Sequence, residues 1–365
     1  MKGRDIRERL VQDIMSGVYT QAGRLPSEAK LATMFEVSRM TIRGALDELR
    51  RQGLIEKRNG LGSYLTKRAL QRSGLIGLVI PDYEDFEFFV AIQREVELHA
   101  ARIGYRVELV FTTERARKDI VVDIREKVNR LAANRAEGVI FRPFVTEKFS
   151  AANREIVSIL RTAEIPVVLV DSDITRPPER SDCDLVAINN IGAGRQIARH
   201  LHECGCRRIA FLMQSRDSFV IANWSNRLFG LAGELALLGH EESVRQLDFS
   251  ATDINALNAL MRSRHRPDAI VCGNDERAAR LVETLARLGK RIPKDIAVVG
   301  FDDVGIARTT VPPLTTIAQP ARKLAATAFK TLLARIRYPN NDPREILLDA
   351  PLVVRSSTPA PPATS

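Results

Sequence analysis

Two arginines one helical turn apart, Arg39 and Arg43, stand beside Ser38, Met40 and Thr41. If this stretch is a helix, a step of four residues returns to the same face, so both guanidiniums leave one side near its N-terminus. Arginine placed there can take a phosphate or a base edge through paired N–H donors. Further on, Lys57, Arg58 and Asn59 run into Gly60-Leu61-Gly62, a cationic tip whose glycines let backbone approach a phosphate or a minor groove closely. A second set of polar residues follows apolar runs along the rest of the chain: Asp82, Arg142, Asp171, Asn274 with Asp275, and Asp302 with Asp303. Carboxylates, an amide and a guanidinium facing one cleft supply the fixed donors and acceptors that a polyhydroxylated ligand needs. For Arg142 a surface salt bridge is an equal reading. Phe86, Phe88 and Phe89 either stack on a ring at the cleft mouth or pack at a helix start.

The elements that must position the first set are short and periodic. Ile6, Leu10 and Ile14 form one stripe of a first helix ending near Gly17. Ser27 reads as the N-cap of a second helix, with Glu28 at its positive start and Leu31, Met34 and Phe35 as its apolar side. Ser38 caps a third, whose buried stripe is Ile42, Ala45, Leu46 and Leu49, and Gly53 ends it. Leu54–Lys57 and Ser63–Thr66 then predict a hairpin. Two short helices, the second presenting its first polar side chains, have the geometry that enters a DNA major groove; a solvated three-helix bundle is the plainer alternative. Charge favours the first reading. Residues 1–72 hold 15 Lys and Arg against 8 Asp and Glu, which puts +7 of the chain's +10 in its first fifth.

The second set depends on apolar runs of strand length at Leu75–Ile80, Arg106–Phe111, Gly138–Phe141, Val167–Val170, Leu185–Ile188, Arg208–Leu212, Ala269–Cys272 and Ile296–Val299. Amphipathic helices separate many of them, as at Phe89–Ile103 and Ile191–Cys204, which predicts parallel, doubly wound sheets. In such sheets ligands bind at the carboxyl ends of the strands, where the polar residues above fall.

With 365 residues and 45% hydrophobic content the chain has enough material for two or three folding units. No apolar run is long enough for a membrane helix, and the mixed charges of the first ten residues lead into no signal-peptide core, so a cytoplasmic protein is expected. Four cysteines without regular spacing fit reduced thiols. His200, His202, Cys204 and Cys206 place four possible metal ligands close together, but steps of two on a helix turn side chains about 200° apart, so no metal site is expected. Asp302-Asp303 has no accompanying nucleophile or third ligand, GxSxG and GxxxxGK[ST] motifs are missing, and neither an enzyme nor a cofactor is expected. Thr66 to Gly74 is polar and aperiodic. The expected division is therefore a head over 1–66, a linker over 67–74, a body over 75–355, and a disordered Pro/Ser/Ala-rich tail over 356–365.

The string LPSEAKLATMFEVSRMTIRGALDELRRQGLIEKRNGLGSYL resembles the GntR-type winged helix-turn-helix across residues 1–66. The resemblance implies that Ser38, Arg39, Thr41 and Arg43 face double-stranded operator DNA, as do Asn59 and Gly60 at the wing tip. Ala29 departs from it, where many members carry a backbone-contacting arginine. Residues 74–355 resemble the two-lobed, periplasmic-binding-protein-like effector domain of LacI-type regulators through LIGLVIPD, RRIAFL, NRLFGLAGEL, DAIVCGNDERAA, IPKDIAVVGFDD and PPLTTIAQP. That resemblance implies a cleft lined by Asp82, Asp171, Arg227, Asn274 and Asp302, closing on a sugar or similar metabolite, and a body that forms a homodimer. At Ile188-Asn189-Asn190 the chain departs from it, since an Asp often precedes the Asn. The pairing of the two parts resembles arabinose-responsive repressors, which implies a monosaccharide effector. Activation or corepression would use the same parts with the opposite sign.

Overall fold

The computed structural model describes residues 3–15, 18–19, 22–51, 53–58, 60–66, 73–80, 86–111, 119–144, 147–175, 178–213, 222–240 and 244–360. Asp82 and Asn59, the linker 67–72 and the last five residues lie outside them.

In the head, α1 (Gly3–Met15), α2 (Glu28–Met34) and α3 (Arg39–Arg51) precede a hairpin of β1 (Ile55–Arg58) and β2 (Gly62–Leu65). The predicted stripes meet in one core: Ile6, Leu10 and Ile14 pack with Leu31, Ile42, Leu46 and Leu49, and the hairpin adds Ile55 and Leu65. Ser27 Oγ accepts the Lys30 N–H and Ser38 Oγ accepts the Thr41 N–H, so both predicted caps hold helix starts. Gly53 ends α3 with φ +69°, a conformation that costs glycine nothing.

The body has two parallel sheets. Its first lobe contains β3 (Leu75–Val79), α4 (Phe86–Ala101), β4 (Arg106–Val110), α5 (Ile120–Ala133), β5 (Gly138–Phe141), α6 (Ser150–Thr162), β6 (Val167–Val170) and β7 (Asp184–Ile188). The chain then enters the second lobe through α7 (Asn190–Glu203), β8 (Ile209–Leu212), α8 (Ala222–Leu237), β9 (Arg245–Leu247), α9 (Ile254–Arg262), β10 (Ala269–Cys272), α10 (Asp275–Arg287), β11 (Ala297–Val299), α11 (Gly305–Thr309) and β12 (Thr316–Ile317). It returns to the first lobe for α12 (Ala321–Arg337) and β13 (Glu345–Leu348), and ends on β14 (Leu352–Val353), paired with β12. The sheets have strand orders β13-β7-β6-β5-β3-β4 and β11-β10-β8-β9. The strands are buried on both faces, which is why they read as continuous apolar runs rather than alternating ones.

Three passages join the lobes, and hydrogen bonds tie them together. Asn189 N–H donates to Leu348 O, Ala318 N–H donates to Pro351 O, and Gln196 Nε2 donates to Ala350 O. These passages form a hinge beside the carboxyl ends of both sheets. In the second lobe α7 and α8 cross at glycines. A Cβ on Gly194 would lie 2.2 Å from Arg227 O, and one on Gly230 would lie 2.1 Å from Ile191 O. Only glycine permits that approach, and it brings Asn190 and Arg227 side by side.

The expectation of a disordered tail is corrected for residues 356–360. Ser357 and Thr358 are buried; Ser357 Oγ donates to Val298 O while its N–H donates to Pro313 O, and Thr358 Oγ1 bonds His200 Nε2. Small polar side chains without apolar bulk looked incapable of packing, but here they satisfy the edge of β11 and a helix face. The linker boundary also shifts. Ser73 Oγ donates to Arg135 O and Gly74 N–H to Glu137 Oε1, so both belong to the first lobe.

Candidate effector cleft and nucleic-acid interface

The N-terminal half of α3 is the exposed face of the head. Ser38, Arg39, Met40, Arg43 and Gly60 are exposed, with Thr41 partly so. Met40 is 81% exposed, which for a methionine is unfavourable in water and suited to a base methyl group in a groove. Arg43 rests in an exposed ion pair with Glu28 at 3.1 Å, an interaction of about 0–1 kcal/mol that a phosphate can replace. Arg58 is exposed beside the wing tip. It ends β1, pairs with Glu56 at 2.7 Å and lies over the Tyr64 ring at 4.4 Å, because side chains two apart on a strand share a face.

In the body, the structure gathers Arg142, Asp171, Arg227, Asn274 and Asp302 at the carboxyl ends of the strands, all of them buried. Arg142 follows β5; it lies over the Phe89 ring at 4.6 Å with Nε 3.7 Å from Asp171 Oδ2, so it is an interior cation and the surface-pair reading falls. Phe88 and Phe89 are buried in the first lobe, where they pack edge to face. The Phe86 side chain lies outside the described residues. Arg227 reaches from α8 to give Nε to Asn190 Oδ1 at 2.8 Å and Nη1 to Gly273 O at 2.6 Å, with its plane 3.4 Å above the Phe301 ring. Asn274 caps α10 by accepting the Arg277 N–H. Asp302 accepts from Gln319 Nε2.

Asp171, Asp302 and Asp303 all have positive φ, at 75°, 113° and 55°. Aspartate tolerates this region better than most side chains, yet such strain persists only where surroundings impose it, and it concentrates at ligand sites. Asp303 is held by Arg355 at 2.6 Å. Asp275, the residue after Asn274, is fully buried and accepts from Thr316 Oγ1 and Val304 N–H, tying α10 to the loop that carries Asp302. Burial pushes its carboxyl up to about 7, although the Thr316 hydroxyl and Val304 N–H favour the charged form.

Four further cleft residues were not among the expected effector contacts, although Asn190 belongs to the departure noted at Ile188-Asn189-Asn190. Asn190, at the start of α7, accepts from Arg227, while Asn189 caps α7 through the Gly192 N–H. The departure at Ile188-Asn189-Asn190 is therefore a cap followed by an arginine clamp. Asn223 donates to Asp171 Oδ1 at 2.9 Å. Trp224, the chain's single tryptophan, lies against Gly273, where a Cβ would come within 2.4 Å of its ring, with Arg277 on it at 4.3 Å. Gln319 lies on a hinge passage, and its buried Oε1 has no hydrogen-bond partner among the described residues. An isolated Asn, Gln or Trp carries no spacing signal, and only the crossing helices and the hinge bring these four to one place.

In the His200–Cys206 segment, His200 bonds Thr358 and lies 3.7 Å from Cys204 Sγ one turn on, Cys204 Sγ donates to Pro359 O, His202 pairs with His240 at 2.9 Å, and Cys206 joins the core. A cavity of about 950 Å³ opens at the other ends of β5, β6 and β7. Its buried charges are already matched, as in the Asp184–Arg335 pair at 2.8 Å, and strain and aromatic stacking make the cleft the stronger candidate for a ligand site. No helix among the described residues is long and apolar enough to cross a membrane.

Comparison with known proteins agrees with this geometry. Residues 2–65 match the bacterial regulatory proteins of the gntR family, and residues 198–358 match the periplasmic binding protein-like domain. An arabinose metabolism transcriptional repressor from Geobacillus stearothermophilus is 28% identical over 97% of this chain and 96% of its own. A ribose operon repressor from Halalkalibacterium halodurans is 29% identical over 78% of this chain and 80% of its own. Among solved structures, a LacI family transcriptional regulator from Enterococcus faecalis with bound ribose superposes with a TM-score of 0.63 at 27% identity, covering 79% of this chain and 99% of that one. The chain therefore has a periplasmic-binding-protein-like, LacI-type fold preceded by a helix-turn-helix head that matches the gntR family model.

Proposed function

We propose that this chain is a cytoplasmic transcriptional repressor that binds operator DNA as a homodimer and is released when a monosaccharide closes the two lobes. The observation that carries the reading is the coexistence, in one chain, of an exposed helix start bearing Arg39 and Arg43 and a hinged cleft lined by Arg142, Asp171, Arg227, Asn274 and Asp302. A cleft of two arginines, two carboxylates and four amides, Asn190, Asn223, Asn274 and Gln319, with Phe89, Phe301 and Trp224 as apolar walls, has the mixture that a pentose or hexose requires: directional partners for hydroxyls and flat faces for ring C–H groups. The orphaned Gln319 oxygen is one acceptor such a hydroxyl would fill. The ligand must bind one lobe arrangement better than the other, since equal affinity for both would shift nothing.

The test is a thermal-shift screen of the full-length protein against aldopentoses, aldohexoses and their acids, followed by operator binding with and without each hit. A ligand specific for the native state raises the melting temperature, by about 2.7 kcal/mol of added stability at a hundredfold excess over Kd. Release of DNA by at least one hit is expected; a stabilising sugar that leaves operator affinity unchanged would refute the coupling.

Dimerisation is supported by an apolar stripe on α8, where Phe229, Gly233, Ala236 and Leu237 are exposed beside Ile191 at the start of α7. Phe229 is 59% and Leu237 75% exposed, more apolar surface than a solvated helix face ordinarily carries. A second copy related by a two-fold axis would cover it and pair the heads for a palindromic site. Phe229→Arg is expected to shift the protein from dimer to monomer in sedimentation velocity and to weaken operator binding by an order of magnitude or more. A variant that sediments as the wild type would move the interface elsewhere.

A further inference from the structure

Among the described residues, polar contacts away from the hinge cross from one lobe to the other inside the cleft and at its rim. Inside the cleft Asn223 of α8 reaches Asp171 beyond β6, a bond between groups already placed at the ligand site. The other is at the rim. The Gly305 N–H, at the start of α11 on the second lobe, donates to both carboxylate oxygens of Glu87, in the first turn of α4 on the first lobe, at 3.0 and 2.8 Å. A Cβ on Gly305 would stand 3.1 Å from Glu87 Oε2, so a glycine here lets the carboxylate come in close. Between them lies a small cavity of about 80 Å³ lined by Glu87, Glu276, Asp302, Val304 and Ile306.

We propose that Glu87 is a rim latch: by binding the Gly305 N–H across the cleft it favours the closed arrangement of the lobes and so sets effector affinity without itself being an effector contact. The proposal rests on the lobe-closure reading above. Its physical basis is that the bond joins elements anchored in different sheets, α4 against α12 and the first lobe, and α11 against the core of the second. Swinging the lobes apart about the hinge must break it, whereas small adjustments within either lobe need not. Once the lobes part, water solvates both groups, so the bond adds only its net worth, but it adds it to the closed state alone. Apparent ligand affinity scales with the population of the competent state, so a change in that population appears directly in Kd. Gly305 lies three residues after Asp302 on one short loop, so the latch and an effector contact are carried by the same piece of chain.

The test compares full-length wild type with Glu87→Ala and Glu87→Gln by small-angle X-ray scattering without ligand and by calorimetric titration with the best sugar from the screen. Glu87→Ala is expected to increase the radius of gyration of the ligand-free protein and to raise Kd about three- to tenfold. Glu87→Gln, which keeps an acceptor but loses the charge, is expected to fall between. Because Glu87 is exposed, neither variant should lose its fold, which circular dichroism verifies. An unchanged scattering profile or an unchanged Kd in Glu87→Ala overturns the latch. If the wild type binds none of the sugars, the effector reading fails on its own, and the ligand-free scattering comparison still decides whether Glu87 holds the lobes together.

Discussion

Arg227→Ala should leave operator affinity at its wild-type value and abolish the response to sugar. The side chain is 4% exposed and performs three tasks at once: it holds Asn190, it holds the Gly273 carbonyl, and it covers the Phe301 ring. Truncation strands a buried amide and a buried carbonyl and opens a void between α8 and the loop after β10. Hydrogen bonds from a charged donor are worth about 1.5–3 kcal/mol each, so losing both destabilises the second lobe, and the site that Asn190 and Gly273 frame loses its shape, which is expected to raise Kd by about tenfold or more. Arg227→Lys keeps the charge but not the planar fork, and should recover only part of the response. The head has its own core, which meets the first lobe at Ile103 and not at α8, and should be unaffected. Calorimetric titration and operator binding on the same preparation check both halves; a Kd within twofold of the wild type would show that the cleft has been placed wrongly.

Arg39→Ala/Arg43→Ala should reduce operator affinity by about 2–6 kcal/mol, since each bidentate arginine contact is worth about 1–3 kcal/mol of discrimination. The single variants should differ. Arg43 has to leave Glu28 before it can meet DNA, whereas Arg39 starts exposed at the first position of α3, so Arg39→Ala is expected to have the larger effect. Salt dependence separates the roles: loss of a phosphate contact lowers the salt slope by about one, while loss of a base contact relaxes sequence preference at constant slope. If the double variant matches the wild type in affinity and slope on its operator, α3 is not the reading helix.

Much of this was legible because the relevant patterns are local. The head's core follows from residues repeating every three or four positions, and its caps from single serines followed by the helices they start. The parallel strands are legible as apolar runs, and the polar residues at their ends as Asp171, Asn274 and Asp302. What escaped was non-local. Asn190, the neighbours Asn223 and Trp224, and Gln319 come from three separated stretches and meet only because α7 and α8 cross at Gly194 and Gly230 and because three passages share a hinge. The engagement of Arg58 by Glu56 and Tyr64 was not legible, because Tyr64 reaches that sheet face only when β1 and β2 pair. Ser357 and Thr358 were misjudged because a burial signal was sought in apolar bulk, whereas their role is to satisfy backbone and histidine polar groups.

By itself the amino-acid order determined the periodicities, the charge asymmetry and the strand-end chemistry, because each depends on neighbours within a few residues. The tertiary structure alone decided which side chains share the cleft, which arginines are already engaged, and where one lobe touches the other. Those outcomes depend on distances between chain segments far apart in sequence, and packing and topology, rather than local preference, set such distances.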